Sequence, residues 1–254
     1  CKLHRISPFE AWRVERTPRR KDGPDAKRFP PNELVPGGFV TSACSPIVYT
    51  ADLFPPEFRD NTLICDPANN LIHRDILEPK GSVFTARRGD ADCEFFASTD
   101  NWCRPVHLGV GPDGAIYTLD FYREAIETPL SLPDDIKKSL NLESRGRGRI
   151  WRISPEGFTA KTLPRLDRPS VAELAGRLND PNSWMRHTAQ RLLLERDAAD
   201  VAKTLGEIDR KRLTPAGCAH VLWLMHEGGA IRDPAPILDA LRDESSGVRE
   251  MGLR

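Results

Sequence analysis

The sequence predicts a multidomain protein. An all-β propeller fragment, its last blades, occupies residues 1–164, and all-α HEAT-type helical repeats begin over residues 165–254. Three observations support this. Before Arg165, short β-rich runs alternate with turns, and after it apolar residues recur at helical spacing. A turn-and-strand unit recurs about 43 residues apart, near the period of a propeller blade. A helix–turn–helix phrase recurs in the helical part.

The β-rich part consists of short runs separated by Pro, Gly, Asn and Asp. The predicted strands lie at residues 39–49, 62–66, 71–77, 82–86, 94–97, 106–110, 115–121 and 149–154. Residues 67–70 (PANN) form the turn of a hairpin, and residues 111–114 (GPDG) form another. Strands at this spacing are typical of a sandwich, a barrel or a propeller, and the recurring unit favours the propeller.

The helical part has capping residues at several starts. Ser170 is the predicted N-cap of one helix, and Ser131 is the predicted N-cap of a short helix inserted in the β-rich part. The predicted helices cover residues 131–140, 171–178, 181–196, 215–225, 233–242 and 247–254. Residues 178–186 (LNDPNSWMR) resemble residues 241–249 (LRDESSGVR), and this pairing is typical of HEAT repeats.

Charge and composition exclude several classes of protein. Lys plus Arg and Asp plus Glu both number 37, so the chain has no net charge and a nucleic-acid partner is not expected. No stretch of about 18 apolar residues occurs, and no transmembrane segment is predicted. The basic run at residues 16–21 is expected to be a solvated loop. Because the chain opens at Cys1 within a β-like run and stops at Arg254 within a helix-like run, we expect a piece of a larger protein.

Six cysteines lack any Cys-x-x-Cys pair, and the histidines show no ligand spacing. No metal site and no haem attachment site are therefore predicted in this segment. We expect disulfides between Cys44 and Cys65 and between Cys93 and Cys103, with Cys218 as a free, buried thiol.

Five charged residues beside turns form the candidate catalytic set: Asp100, Arg104, Asp120, Arg123 and Glu124. Alternation in the strand at residues 115–121 predicts that its odd positions pack inward, which leaves Asp120 to pair with Arg104 or Arg123. The set is interpreted either as a polar site in the propeller mouth or as an ion-pair network that joins blades. No cofactor-binding residue is identified.

Several phrases together resemble one family. The matching phrases are residues 29–34, 38–44, 54–59, 69–74, 98–106 (STDNWCRPV), 111–117 (GPDGAIY), 120–124 (DFYRE), 147–153 (RGRIWRI) and 184–193 (WMRHTAQRLL). They resemble the large secreted proteins of planctomycetes and verrucomicrobia described as membrane-bound dehydrogenases. Three positions depart from that pattern: Cys103 replaces a usual Phe, His107 a usual Asn, and Thr128 a usual His.

The resemblance implies a function. It implies a secreted, extracytoplasmic oxidoreductase similar to sugar dehydrogenases, with a quinone such as PQQ as cofactor and a carbohydrate as substrate. Electrons would pass to a haem c domain outside this segment. A non-catalytic module that binds carbohydrate or protein at the cell surface is the main alternative, with the helical repeats as the protein-binding surface. Glycoside hydrolysis by Asp100 and Asp120 is a third.

Overall fold

A computed structural model describes residues 2–81, 83–126, 132–160 and 162–254. The structure divides into two compact units. The first comprises Cys1–Tyr49, Phe54–Gly111 and Ala115–Glu156, and the second comprises Thr50–Leu53, Pro112–Gly114 and Gly157–Arg254. The predicted domain boundary between residues 164 and 165 stays a prediction.

Among its described residues, the first unit holds the strands and two helices. Its helices are α1 (Ala11–Lys21) and α2 (Asp134–Ser139), with 3₁₀ turns at Ala26–Arg28, Pro31–Glu33 and Pro56–Phe58. Its strands are β1 (Cys44–Val48), β2 (Thr62–Asp66), β3 (Leu71–Lys80), β4 (Val83–Arg88), β5 (Phe96–Ala97), β6 (Pro105–Val110), β7 (Ile116–Asp120) and β8 (Arg149–Ile153).

Two antiparallel sheets form in this unit. The first has the order β1-β2-β3-β4, and β5 pairs with the start of β3, whose other end pairs with β4. The second has the order β6-β7-β8. The hairpins predicted around residues 67–70 and 111–114 are confirmed as β2–β3 and β6–β7. Gly114, at φ +80°, takes the left-handed conformation that this turn requires.

The segment before β1 lies against the first sheet through polar contacts. Arg5 donates to Ala68 O at 3.0 Å, and the Ser7 hydroxyl bonds Asn70 Oδ1 at 2.7 Å. Gly38 N donates to Asn69 Oδ1 at 3.0 Å. Because all three partners belong to the β2–β3 turn, that turn fixes the path of the segment.

The basic run at residues 16–21 was expected to be a solvated loop, and this is wrong. It forms the second half of α1, where Arg16 is buried and its guanidinium lies 5.0 Å from the Trp12 ring. Trp12 in turn packs with Leu132 and Ile136. The arginine stems cover apolar surface, which a count of charges along the sequence does not reveal.

The second unit is helical. Its elements are α3 (Val171–Arg177), α4 (Ser183–Leu194), α5 (Ala198–Gly206), a 3₁₀ turn at Arg210–Arg212, α6 (Pro215–Glu227), α7 (Ala235–Leu241) and α8 (Ser246–Leu253). The Ser170 cap is confirmed as a reciprocal capping box with Glu173. The predicted cap Ser131 lies outside the described residues. Helix α5 is not among the predicted helices, although Asp197 caps it. A core includes Leu174, Leu178, Ala189, Leu193, Val221 and Leu224.

The predicted fold class, an all-β propeller fragment followed by HEAT repeats, is wrong. The fold is mixed, with 35% helix, 19% strand and a curled antiparallel sheet, and the residues that the structure describes form no clear HEAT repeats. The recurring turn-and-strand unit corresponds to antiparallel hairpins, which occur in many folds. The recurring helical phrase, residues 178–186 and 241–249, corresponds to a turn between two helices with the same hydrogen bond in both copies. Arg186 donates to Asp180 O at 2.7 Å, and Arg249 donates to Asp243 O at 2.8 Å.

None of the helices in the described parts of the chain is long and apolar enough to cross a lipid bilayer. This agrees with the prediction that the segment contains no transmembrane span.

Replacing Ser170 with alanine should lower the free energy of unfolding of the second unit by about 1 kcal/mol, because the side chain satisfies a helix N–H. Urea titration followed by far-UV circular dichroism measures the loss. Ser245→Ala is the matched control, since Ser245 caps α8 without a side-chain hydrogen bond. We expect it to change stability by less than about 0.5 kcal/mol. Equal losses in the two variants would contradict the capping argument.

Candidate functional site

Strand β7 presents its even positions to the interior. Ile116, Thr118 and Asp120 are buried, whereas Leu119 and the following Phe121 are exposed. The prediction that the odd positions pack inward is therefore wrong. A buried carboxylate such as Asp120, at the end of the inward-facing residues of β7, needs hydrogen bonds. Its hydrogen-bond partners therefore determine which chemistry is possible at this site.

Five hydrogen bonds from nitrogen donors of the described residues reach the Asp120 carboxylate. Oδ1 accepts from Arg104 N at 2.8 Å and from Tyr122 N at 3.0 Å. Oδ2 accepts from Arg149 Nε at 2.9 Å, from Arg149 Nη2 at 2.6 Å and from Trp151 Nε1 at 3.1 Å. The guanidinium partner of Asp120 is thus Arg149 on β8, rather than Arg104 or Arg123.

The charge of Asp120 is fixed by these bonds. Burial acts to raise its pKa, but the bonds from Arg104 N, Trp151 and Arg149 outweigh burial and hold the pKa below its ordinary value. The carboxylate is therefore ionised, enclosed and fully hydrogen-bonded. It has no proton to donate and no free oxygen to offer a reacting group.

Arg104 is fully buried, with 0% of its side chain exposed. Its guanidinium donates to Arg123 O at 2.9 Å, Pro67 O at 2.9 Å and Glu124 O at 2.5 Å. Nη2 also lies 2.7 Å from Glu10 Oε1. Arg104 therefore joins the β2–β3 turn, the segment after β7 and the residue before α1, and it is out of reach of a ligand.

Glu10 is the counter-ion of a buried arginine cluster. Its Oε2 lies 3.3 Å from Arg5 Nη2 and 3.6 Å from Arg13 Nε, and its Oε1 faces Arg104. Burial lowers the pKa of Arg104, and Glu10 acts against that shift. Because a guanidinium does not give up its proton in proteins, the cluster stays charged and needs this carboxylate.

The side chains of the predicted site residues Arg123 and Glu124 bond to groups other than Asp120. Arg123 Nη1 donates to Ser144 O at 2.6 Å, and its guanidinium lies 4.6 Å from the Phe121 ring. Glu124 Oε2 accepts from Asn141 N at 2.7 Å. Thus Arg104, Asp120 and Arg123 are linked mainly through backbone atoms, and their charged groups do not converge on one point.

Asp100 belongs to a different, partly exposed group that we call the Arg149 surface: Asp100, Trp102, Tyr122, Arg149 and Trp151. The Arg149 guanidinium lies 4.0 Å from the Tyr122 ring centre and 4.9 Å from the Trp151 ring centre. The ring centres of Trp102 and Tyr122 are 5.7 Å apart. Asp100 Oδ2 is 3.9 Å from Arg149 Nη2. The side chains of Arg149 and Asp100 are 34% and 43% exposed.

Within the Arg149 surface, Tyr122 has an unusual backbone conformation for a bulky residue. Its φ is +49°, in the left-handed region that bulky residues seldom adopt. The Tyr122 N–H bond to Asp120 and the bond from Arg123 N to Trp102 O at 3.0 Å hold the turn. This strain orients the Tyr122 ring over Arg149, and such strain is found preferentially at functional sites.

The described cysteines are free thiols. Cys44 and Cys65 are register partners on β1 and β2, so the predicted bridge would join opposite positions of one strand pair. Cys93 is exposed whereas Cys103 is buried. Burial raises the pKa of both Cys65 and Cys103 to about 12, so neither is a reactive thiolate. Neither predicted disulfide is formed in the structure, and bridging in solution stays a prediction.

A second buried charged group surrounds His73 on β3. Its Nδ1 lies 2.7 Å from Glu94 Oε2, and its Nε2 lies 3.1 Å from Asp75 Oδ1. Glu94 also accepts from His4 N at 2.8 Å and from Arg88. The bond to Glu94 raises the pKa of His73 against the effect of burial. His73 on the first sheet is therefore linked to the segment before α1 through Glu94, which contacts both.

Metal ligands do not assemble here. Within the ranges that the structure describes, no three or more His, Cys, Asp or Glu side chains group as a metal site would require.

The three positions that depart from the family pattern lie in different surroundings. Cys103 is buried, and the exposed His107 has its Nδ1 3.1 Å from Ser45 Oγ. Thr128 lies outside the described residues.

Sequence reasoning missed Glu10, Arg149, Trp151, His73 and Glu94. Alternation along the predicted strand 149–154 places residues 149 and 151 on one face. Pairing with Asp120 depends on the register of β7 against β8, where Asp120 is opposite Arg149. Nothing local in the sequence specifies that register.

Comparison with known protein families gives a match over the middle of the chain. A family model described as a domain of unknown function (DUF7133) matches residues 17–157, a range that includes every residue of the Arg149 surface. No curated protein matches the chain, and no solved structure matches it either.

Arg104→Ala should cost about 3–5 kcal/mol of unfolding free energy, because Glu10 and three carbonyl groups lose their buried partner. Arg123→Ala is the matched control, and we expect a smaller loss because that side chain is only half-buried. Chemical denaturation of the full chain gives both values. A loss below about 1 kcal/mol for Arg104→Ala would contradict its structural role.

The His73 group should make the stability of the first unit depend on pH. Its raised pKa in the folded state means that the stabilisation is complete below the ordinary value of 6.5 and is lost as pH rises through the folded pKa. Denaturation at a series of pH values measures the slope, and His73→Gln should remove it. His107→Gln, at an exposed position, is the control that should leave the slope unchanged. An unchanged slope in His73→Gln would refute the assignment.

Proposed function

The chain belongs to the family described as a domain of unknown function (DUF7133), and we propose that it binds carbohydrate through the Arg149 surface without catalysis at that surface. The observation that carries the proposal is the placement of the Arg149 guanidinium. It contacts the rings of Tyr122 and Trp151, and it is hydrogen-bonded to the buried carboxylate of Asp120. Asp120 fixes the direction of the guanidinium, and the rings around it remain partly exposed.

The surface offers the groups that a sugar needs. A pyranose has an apolar face of C–H groups and a rim of hydroxyls that both donate and accept hydrogen bonds. Trp151 is 43% exposed and supplies apolar ring area. Arg149 commits Nε and Nη2 to Asp120, so among the described residues Nη1 has no hydrogen-bond partner. Asp100 Oδ2 is a partly exposed acceptor that lies 3.9 Å from Nη2 of the same guanidinium.

A donor on Arg149 and an acceptor on Asp100 are the two kinds of group that vicinal hydroxyls need. Neighbouring donor and acceptor groups can bind two adjacent hydroxyls at once, one accepting from Arg149 and the other donating to Asp100. Because Asp120 already pins Arg149, little side-chain entropy is lost when a ligand binds. These features favour binding of an intact sugar.

The other functions considered have less support from the geometry. Glycoside hydrolysis needs one carboxylic acid that is protonated and can reach the substrate. Asp120 is enclosed, with its pKa lowered, and Asp100 alone does not make a pair. The oxidoreductase function rests on the sequence resemblance, and a dye-linked oxidation assay with added quinone and a panel of sugars would test it on the full-length protein.

Binding to neutral polysaccharides tests the proposal. Affinity electrophoresis of the purified chain in gels containing cellulose derivatives, xylan, mixed-linkage glucan or mannan should show retardation by at least one of them. Trp151→Ala should weaken that binding about tenfold, since an aromatic contact contributes about 0.5–1.5 kcal/mol beyond the area that it buries. Trp151→Phe keeps a ring and should retain most of the affinity.

Ile150→Ala is the control for this experiment. Ile150 is 69% exposed on the same strand, but its side chain points to the opposite face of the sheet. Its replacement should leave affinity unchanged. No retardation by any polysaccharide, or equal losses in the Trp151 and Ile150 variants, would reject the Arg149 surface as a sugar site. Dye reduction that requires Arg149 would replace binding by catalysis there.

A further inference from the structure

Two histidines meet on adjacent helices of the second unit. His187 lies on α4 and His220 on α6, and their ring centres are 5.4 Å apart with an angle of 65° between the ring planes. Two imidazole nitrogens that bind one zinc ion at about 2.0–2.1 Å place their ring centres about 5 Å apart. The observed separation is therefore close to the one that a shared metal ion requires.

The hydrogen bond on one ring determines which nitrogen is available. His220 Nδ1 bonds Gln190 Oε1, and a carbonyl oxygen only accepts, so Nδ1 carries the proton. In the neutral ring the lone pair then lies on Nε2. Within the described parts of the chain, Nε2 of His220 has no hydrogen-bond partner. One ring N–H bonded to an oxygen acceptor, with the other nitrogen available, is typical of histidines that ligate metals.

The pair can be reached from solvent. His187 is exposed, so an ion can enter from solution and meet both rings.

We propose that His187 and His220 together bind a divalent transition-metal ion of borderline softness, for which Zn²⁺ and Cu²⁺ are the best-suited ions. Imidazole nitrogens favour these ions over Mg²⁺ and Ca²⁺, which take oxygen ligands. With two protein ligands, the remaining coordination positions would be filled by water or by a ligand from solution. Gln190 is a positioning residue that fixes the tautomer of His220.

Isothermal titration of the full chain, prepared without a polyhistidine tag, tests the site with ZnCl₂ and with MgCl₂ as the control ion. We expect one Zn²⁺ equivalent to bind and Mg²⁺ not to bind. His187→Ala and His220→Ala should each weaken Zn²⁺ binding at least tenfold. Gln190→Leu should weaken it by about tenfold as well, because outer partners of a ligating histidine contribute on that scale.

His226→Ala is the matched control, because His226 also lies on α6 but packs against Trp223. It should bind Zn²⁺ as the wild type does. Electron paramagnetic resonance of the wild type with one Cu²⁺ equivalent should show coupling to two imidazole nitrogens, and this readout needs no variant to fold. The proposal is overturned if the wild type binds no Zn²⁺, if both alanine variants bind it like the wild type, or if Cu²⁺ shows no nitrogen coupling.

Discussion

The buried ion pair between Glu10 and Arg104 is the interaction on which the first unit depends. Arg104 bonds carbonyl groups on the β2–β3 turn and on the segment after β7, and Glu10 adds the residue before α1. These elements come from distant parts of the chain. A buried guanidinium must have all its donors satisfied, so the Glu10–Arg104 pair fixes where each of these elements ends relative to the others. The pair therefore contributes more to specifying the geometry of the fold than to its net stability.

The same constraint shapes the candidate site. Since Arg104 is committed to Glu10 and to carbonyl groups, its only contribution to Asp120 is a backbone N–H, and the guanidinium that neutralises Asp120 comes from Arg149. Asp120 thereby changes from a candidate acid into an anchor that holds Arg149 between Tyr122 and Trp151. In the carbohydrate-binding function that we propose, such fixed groups would serve recognition of a ligand and not proton transfer.

Histidines show how the surroundings decide what one residue type can do. His73 lies between the carboxylates of Glu94 and Asp75, which raise its pKa. His220 is half-buried beside another histidine and an arginine, and burial lowers its pKa to about 4. Both nitrogens of the first ring face carboxylate oxygens, whereas Nδ1 of the second faces the Gln190 amide oxygen. Composition alone treats the two residues as equivalent.

Features that depend on neighbours along the chain could be predicted from the sequence: the β2–β3 and β6–β7 hairpins, and the Ser170 cap. Sequence reasoning placed Asp100 and Asp120 among the candidates but assigned Asp120 the wrong partners and β7 the wrong inward face. The fold class, the burial of Arg16, and the pairs Glu10–Arg104 and Asp120–Arg149 depend on long-range contacts and emerged from the three-dimensional structure. Hairpin spacing is shared by many β folds. Strand register and the partners of buried charges depend on residues far apart in the chain, and no local pattern encodes them.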